Sequence, residues 1–311
     1  MSPSIVLFCE LMDNGKGNKA IPYDVVYYIP KIDICTNGTL VHDGDIIELS
    51  DSDIVVFSAN EDGMHFVKAI NSTIPKLCKK MQDIRRAIKS KHAVKMFNDP
   101  VHFEDIGNKL STYNLLKQLP YVPRYAEYTR DVKWNIFPCV VSASRASGGR
   151  FRNVCNNQEE LHANGRRIQK MKGSTFVVEY IDSTIDSFRC FHNLRLMVVD
   201  DVVVDWFCRP GNVWNIHTRT QNKDLIRDVD GWCEEWMGSH QEIVRRCVED
   251  LYGILGRGAY SYDLIIKDDM LYLCEVGYKF WDDTVAKLID IDKPTKELSA
   301  YQKTLKECLL R

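Results

Sequence analysis

Two stretches in the second half of the chain, "NLRLMVVDDVVVDWFCR" at 193–209 and "YDLIIKDDMLYLCEV" at 262–276, constrain its fold more than any other feature. Each places apolar arms, β-branched around the turn in the first, on either side of an Asp-Asp pair, which is the pattern of an antiparallel hairpin. The segment between them reads as one long helix over 235–255. Upstream, strands are expected at 136–142 and 175–181, with a helix at 159–171 between them.

The first 97 residues carry a different pattern. Strands at 5–11, 24–28 and 53–58 precede a helix with Ile74, Leu77, Met81, Ile84 and Ile88 on one face, and "AVKMF" follows. That order predicts a small α/β unit. "NDPVHFED" then breaks the periodicity, and a helix over 105–119 ends at the two prolines of "LPYVPRY". A crossing between domains is therefore expected between Asn98 and Pro120.

Composition narrows the functional classes. The 311 residues are 45% apolar and 27% charged with a net charge of -2, enough to bury a substantial core and too balanced for nonspecific nucleic-acid binding. The lysine-rich stretch at 76–95 reads as the solvated side of the amphipathic helix. No segment approaches membrane-spanning length, and "SIVLFCELM" has no basic flank, so it reads as a first strand and not a signal peptide. Eleven cysteines occur without a Cys-x-x-Cys pair, several of them in apolar runs (Cys9, Cys139, Cys190, Cys208, Cys247, Cys274). Free buried thiols in a reducing cytoplasm are expected, with neither a disulfide framework nor a structural metal. A homo-oligomer is left open.

The stretch "FPCVVSASRASGGRF" at 137–151 runs from an apolar strand into a Ser/Gly/Arg tract. Small residues let backbone N–H groups approach an anion, and Arg145, Arg150 and Arg152 supply charge. Taken alone the tract is as well explained by an ordinary turn, because it lacks a Lys-Ser/Thr ending and opens no predicted helix.

Its neighbours supply the context. Lys109 in "EDIGNKLSTYNLL", then "FPCVVS…SGGRF", "FVVEYID" ending in Glu179, "RLMVV…DWFCRP" with Arg195 and Arg209, and "YDLII…LYLCEVG" with Asp263 and Glu275 follow one another over 98–283. This succession resembles the ATP-grasp superfamily, the group of carboxylate–amine ligases that includes glutathione synthetase, D-alanine–D-alanine ligase and the ribosomal-protein glutamate ligases. The resemblance implies an N-terminal α/β domain (1–97), a linker helix (98–120), a small α+β ATP-grasp subdomain (121–181) and a large one (182–311). ATP with Mg2+ or Mn2+ would be clamped between the two subdomains, and the substrates would be a small-molecule or peptide carboxylate and an amine acceptor.

On that resemblance Lys109 contacts a phosphate, Ser142, Ser147, Gly148 and Gly149 belong to the mobile loop over the phosphates, and Glu179 and Ile181 offer backbone groups to adenine. Asp182 holds the ribose, Arg195 and Arg209 bind the transferred phosphate and the acyl substrate, and Asp263 and Glu275 coordinate the metal. Asn215 and His217, in "PGNVWNIHTRTQNK", are expected substrate contacts. Arg195 sits in an apolar strand, where a guanidinium needs a buried ion pair or an anionic ligand; the ligand is the favoured reading. Two departures stand out. Ser142 occupies the place where the family usually has lysine, with Arg145 as the candidate substitute. Gly277 stands where ligases usually have asparagine, leaving a second metal site weaker or built from Asp282 or Asp283. A phosphotransferase and a catalytically inactive nucleotide-binding protein remain alternatives.

Hairpin arithmetic bears on the acid pair. A two-residue turn at Asp268-Asp269 would set Asp263 opposite Cys274, with Glu275 on the other face. A three-residue connection would instead set Asp263 opposite Glu275, and this is the expected register.

Overall fold

The computed structural model describes residues 4–9, 24–58, 73–145, 151–216, 220–278 and 307–308. In chain order the first unit contains β1 (Ile5–Cys9), β2 (Val25–Tyr28), the short strands β3 (Ile32–Ile34), β4 (Leu40–His42) and β5 (Asp45–Ile46), then β6 (Ile54–Ser58), helix α1 (Thr73–Lys91) and β7 (Lys95–Phe97). Strands β2-β1-β6-β7 form a parallel sheet, and β3-β4-β5 a small antiparallel one. "IVLF" and "IVVF" are apolar without alternation because both faces of the parallel sheet are covered. Val6, Phe8, Val55 and Phe57 join Met81, Ile84 and Ile88 of α1 in one cluster. Ile5, Leu7, Ile54 and Val56 point the other way and pack with Val199 and Ala259 from the second half of the chain.

The linker is two helices, α2 (Phe103–Ile106) and α3 (Lys109–Leu116), where one helix was expected over 105–119. Gly107 ends the first. Asn108 caps the second by accepting a bond from the Ser111 amide at 3.3 Å, which turns the chain before Lys109.

The next sheet is antiparallel, ordered β10-β9-β11-β8, from β8 (Tyr125–Glu127), β9 (Cys139–Ala143), β10 (Arg152–Cys155) and β11 (Thr175–Glu179). Helix α4 (Gln158–Lys172) packs Leu161 and Ile168 on its outer face against Cys139, Val141, Ala143 and Val177. The inner face holds Val140, Phe176 and Val178 against Leu110 and Tyr113 of α3. Short β8 and β10 were not anticipated.

The largest sheet contains β12 (Thr184–Ile185), β13 (Cys190–Val199), β14 (Val202–Gly211), β15 (Ala259–Lys267) and β16 (Met270–Tyr278), with β14-β13-β15-β16 as its body. The expected helix at 235–255 is two, α5 (Ile226–Ser239) and α6 (Gln241–Leu255), broken at His240. Val229, Cys233, Cys247 and Leu251 of these helices cover Leu194, Leu196, Tyr262, Leu264, Leu271 and Leu273. Each such fully buried aliphatic side chain contributes about 1.5–3 kcal/mol through burial. The other face of this sheet is divided. Its far end packs on the parallel sheet through Val199 and Ala259, while the end nearest the small sheet carries charged side chains. Among the described residues no helix is long and apolar enough to cross a membrane, and the cysteines are free.

Candidate active site

The acid pair is set by the β15–β16 hairpin. Asp268 and Asp269 both have positive φ, 49° and 57°, and Lys267 pairs with Met270 in a two-residue turn, so the three-residue connection is corrected. Aspartate tolerates this left-handed backbone better than most residues, and two such residues in succession match the strand twist. The ladder then runs regularly to Leu264 opposite Leu273, shifts by one, and resumes with Asp263 opposite Glu275. Cys274 is the extra residue of a bulge. The packing requires it: Leu271 and Leu273 are buried on the helix side, and so are Val276 and Tyr278, two residues apart within each pair but out of phase between pairs. Both acids thus share the non-helix face, by a route different from the expected one.

Three cations meet these acids. Arg195, across from Asp263 on β13, donates from Nε to Oδ1 at 2.5 Å and from Nη2 to Oδ2 at 2.7 Å. Arg209 of β14 reaches Asp263 Oδ1 at 3.3 Å. Lys109 Nζ lies 3.0 Å from Glu275 Oε2. The ion pair is therefore the partner of Arg195, where an anionic ligand was the favoured reading. Arg209 is almost wholly buried; desolvation lowers its pKa, and the Asp263 charge works against that shift. Its Nε has no hydrogen-bond partner among the described residues. A buried charged donor left unmet costs about 1–3 kcal/mol or more, which an incoming anion would relieve.

Tyr113 of α3 ties the linker to the bulge, its hydroxyl donating to the carbonyls of Leu273 and Cys274 at 3.1 and 3.3 Å. The same helix supplies Lys109, whose amide donates to the Ser144 carbonyl at 2.9 Å. Burial pushes the Cys274 thiol up to about 12.

The loop candidates fall in different places. Ser142 is buried in β9, and Ser144 is held by its Oγ 2.9 Å from Ser174 Oγ, so the tract is anchored as far as Ser144. Arg145 is exposed and pairs with Glu104 of α2 at 3.6 Å. Ser147, Gly148, Gly149, Arg150, His217, Asp282 and Asp283 lie outside the described residues. The Glu179 carboxylate takes the Arg124 guanidinium at 3.3 Å, and the Glu179 amide donates to the Arg124 carbonyl at 2.8 Å. Ile181 is partly buried in the segment after β11. Asp182 Oδ1 accepts from the amide and hydroxyl of Thr184 at 3.0 and 2.6 Å. Asn215 accepts from the Thr220 hydroxyl at 3.4 Å, and its neighbour Trp214 packs edge-on against Tyr180 with ring centroids 6.1 Å apart. Tyr113 and Trp214, which line this space, were not among the expected site residues, and Arg152 was expected only as a charge beside the loop, with Arg145 preferred.

For a metal, Asp263 and Glu275 offer two carboxylates on one face, and no group of three or more His, Cys, Asp or Glu side chains gathers among the described residues. Asp263 is 14% exposed and doubly paired, whereas Glu275 is 30% exposed and pairs with Lys109. This set fits magnesium held jointly with phosphate oxygens, and does not fit a dedicated protein cage.

No protein-family profile matches the chain. The formate-dependent phosphoribosylglycinamide formyltransferase of Pseudomonas aeruginosa is 25% identical over 197 residues, 61% of this chain and 44% of that enzyme. The same-named enzyme of Azotobacter vinelandii is 24% identical over the same extent. The match thus spans less than half the length of these relatives. Among solved structures, the ATP-grasp ligase PsnB complexed with precursor peptide PsnA2 and AMPPNP superposes with TM-score 0.60 at 13% identity, covering 99% of each chain. A RimK domain ATP-grasp protein from Sphaerobacter thermophilus gives 0.55 at 9% identity, covering 99% of this chain and 100% of that one. D-alanine–D-alanine ligase from Bacillus anthracis gives 0.51 at 12%, covering 99% and 98%. With its paired antiparallel sheets, two linker helices and preceding parallel sheet, the chain has the ATP-grasp fold.

Proposed function

We propose that the chain is an ATP-dependent ligase that joins a carboxylate to an amine and releases ADP. The observation that carries this reading is the Asp263–Glu275 pair on one face of the large sheet, ringed by Lys109, Arg195 and Arg209 with the Arg209 Nε unmet. The triphosphate would enter between the small and large sheets. Magnesium held by Glu275 and Asp263 would neutralise charge on its phosphates as the terminal one transfers.

The substrate carboxylate oxygen attacks the γ-phosphorus, the bond to the β–γ bridging oxygen breaks, and ADP departs. The amine then attacks the acyl carbon, the C–O bond to phosphate breaks, and the amine proton leaves with inorganic phosphate. Lys109 and Arg209 balance charge on the transferring group, and Arg195 holds Asp263 in place while the site excludes water. The PsnB structure contains a precursor peptide, which supports peptide carboxylates and amines as first substrates to test.

The test is ADP release with Mg-ATP and a panel of peptide and amino-acid acceptors. Release that needs both a carboxylate and an amine is expected. Release with a single acceptor would make the protein a phosphotransferase, and none with any acceptor, despite nucleotide binding, would make it a binding protein. Glu275→Gln is expected to lower turnover by about 100-fold or more with the fold retained, because its charge acts on the transferring phosphate.

A further inference from the structure

Arg152 begins β10 directly across from Ser142, which itself faces Phe176 on β11. All three therefore share the inner face of the small sheet, the face that receives Tyr113 of α3 and looks toward the β16 bulge. Burial raises the Tyr113 hydroxyl pKa and the Arg152 charge opposes that shift, in keeping with a guanidinium on the face that receives Tyr113. The Arg152 Nε is buried, and no hydrogen-bond partner for it exists among the described residues. The nearby acids are already paired, Glu275 with Lys109 and Asp263 with Arg195 and Arg209. Cations thus outnumber acids around this space. Arg145, the other candidate, is exposed and pairs with Glu104 of α2 at 3.6 Å.

We infer that Arg152 is the small sheet's contact to the terminal phosphates of the bound nucleoside triphosphate, closing the space from the side opposite Lys109 and Arg209. The inference rests on the ligase reading for the identity of the anion. A planar guanidinium with an unmet Nε can donate two parallel bonds to one phosphate, which a packing role would not require.

The experiment compares Mg-AMPPNP with AMP by calorimetry on wild type, Arg152→Gln, Arg152→Lys and the double variant Arg152→Gln/Ser142→Lys. Arg152→Gln should weaken Mg-AMPPNP by about 30-fold while changing AMP by less than about 2-fold. The double variant should recover most of the loss, because a lysine at 142 extends into the same space from the facing position. Arg152→Lys keeps the charge and stem and should lose about 5-fold on Mg-AMPPNP, a reading that survives if the glutamine variant does not fold. Equal losses on AMP and Mg-AMPPNP, or no loss on either, would assign Arg152 to packing and leave the ligase reading intact. A wild type that binds neither nucleotide would overturn the ligase reading, and this inference with it.

Discussion

The hairpins β9–β10 and β15–β16 both deliver charge to the space between the sheets, but they balance it differently. The β15–β16 hairpin turns in two residues, bulges at Cys274, and presents two acids whose counter-charges come from the protein itself, Arg195, Arg209 and Lys109. The β9–β10 hairpin is joined by a long polar connection and presents a cation, Arg152, whose Nε has no protein acceptor among the described residues. On the first side both carboxylates are paired by the protein, and the Arg209 Nε is left as an unmet donor. On the second the cation meets no carboxylate among the described residues, so on the proposed reading ligand binding should be felt most strongly through the small sheet.

The largest expected effect tests how complete the acid side is. Asp263→Asn removes the shared partner of Arg195 and Arg209, and breaking a buried network in this way costs about 3–5 kcal/mol. Glu275→Gln breaks a pair that is more exposed and should cost about 1–2 kcal/mol. Urea unfolding at neutral pH measures both. Equal losses would mean that the two acids are held alike, which would remove the asymmetry within the pair. Both variants are expected to lose turnover, so stability and activity separate for Glu275 and fall together for Asp263.

Much of this arrangement was legible in the sequence where periodicity was strong. The β13–β14 and β15–β16 arms, the parallel strands and the amphipathic α1 are long or evenly apolar, and Lys109, Arg195, Arg209, Asp263 and Glu275 do come together. The bulge was legible too, though unread: Leu271 and Leu273 set one parity and Val276 and Tyr278 the other, and only an inserted residue can bury all four on one face. Arg152 was named as a loop charge but ranked behind Arg145, for a different reason. "RNVC" is a four-residue strand after a Gly-rich tract, too short to show alternation, so only the pairing with Ser142 reveals which way its side chain faces. The break at His240 was missed because α5 and α6 both carry helical patterning, and the chain departs from it at one residue.

A smaller effect probes the scaffold of the ligand-dependent side. A Cβ added at Gly165 of α4 would stand 2.3 Å from a ring carbon of Tyr128, which is fully buried and anchored by its hydroxyl to the His162 carbonyl at 3.2 Å. The ring has little room to retreat. Overpacking of this kind costs about 1–3 kcal/mol, and the better helix propensity of alanine returns somewhat under 1 kcal/mol, so Gly165→Ala should destabilise by about 2 kcal/mol. Gly165→Ala with Tyr128→Leu should recover stability relative to Tyr128→Leu alone. A Gly165→Ala protein as stable as wild type would show that α4 can slide on the small sheet, and would weaken the view of that sheet as a fixed platform for Arg152.

The smallest expected effect probes the large sheet by pH. His192 of β13 is buried, its Nδ1 donating to the Ser183 carbonyl at 2.6 Å while Nε2 accepts from the Ile266 amide at 3.0 Å. Those bonds require the neutral ring with its proton on Nδ1, since a proton on Nε2 would face the Ile266 N–H. Burial accordingly lowers the His192 pKa to about 4, with the Ser183 carbonyl opposing the shift. Between the unfolded value of roughly 6.5 and this lower one, the unfolded chain binds more protons than the folded one, so stability is full above about 6.5 and falls as pH drops toward 4. The linkage amounts to about 1 kcal/mol between pH 7 and pH 5.5. His192→Gln cannot take up that proton, so its unfolding free energy should fall by about 1 kcal/mol less than the wild type's over the same interval. If His192→Gln kept the full wild-type slope, the proton-sensitive part of the fold would lie away from this histidine, and the large sheet's helix-covered face would not be what sets the acid limit.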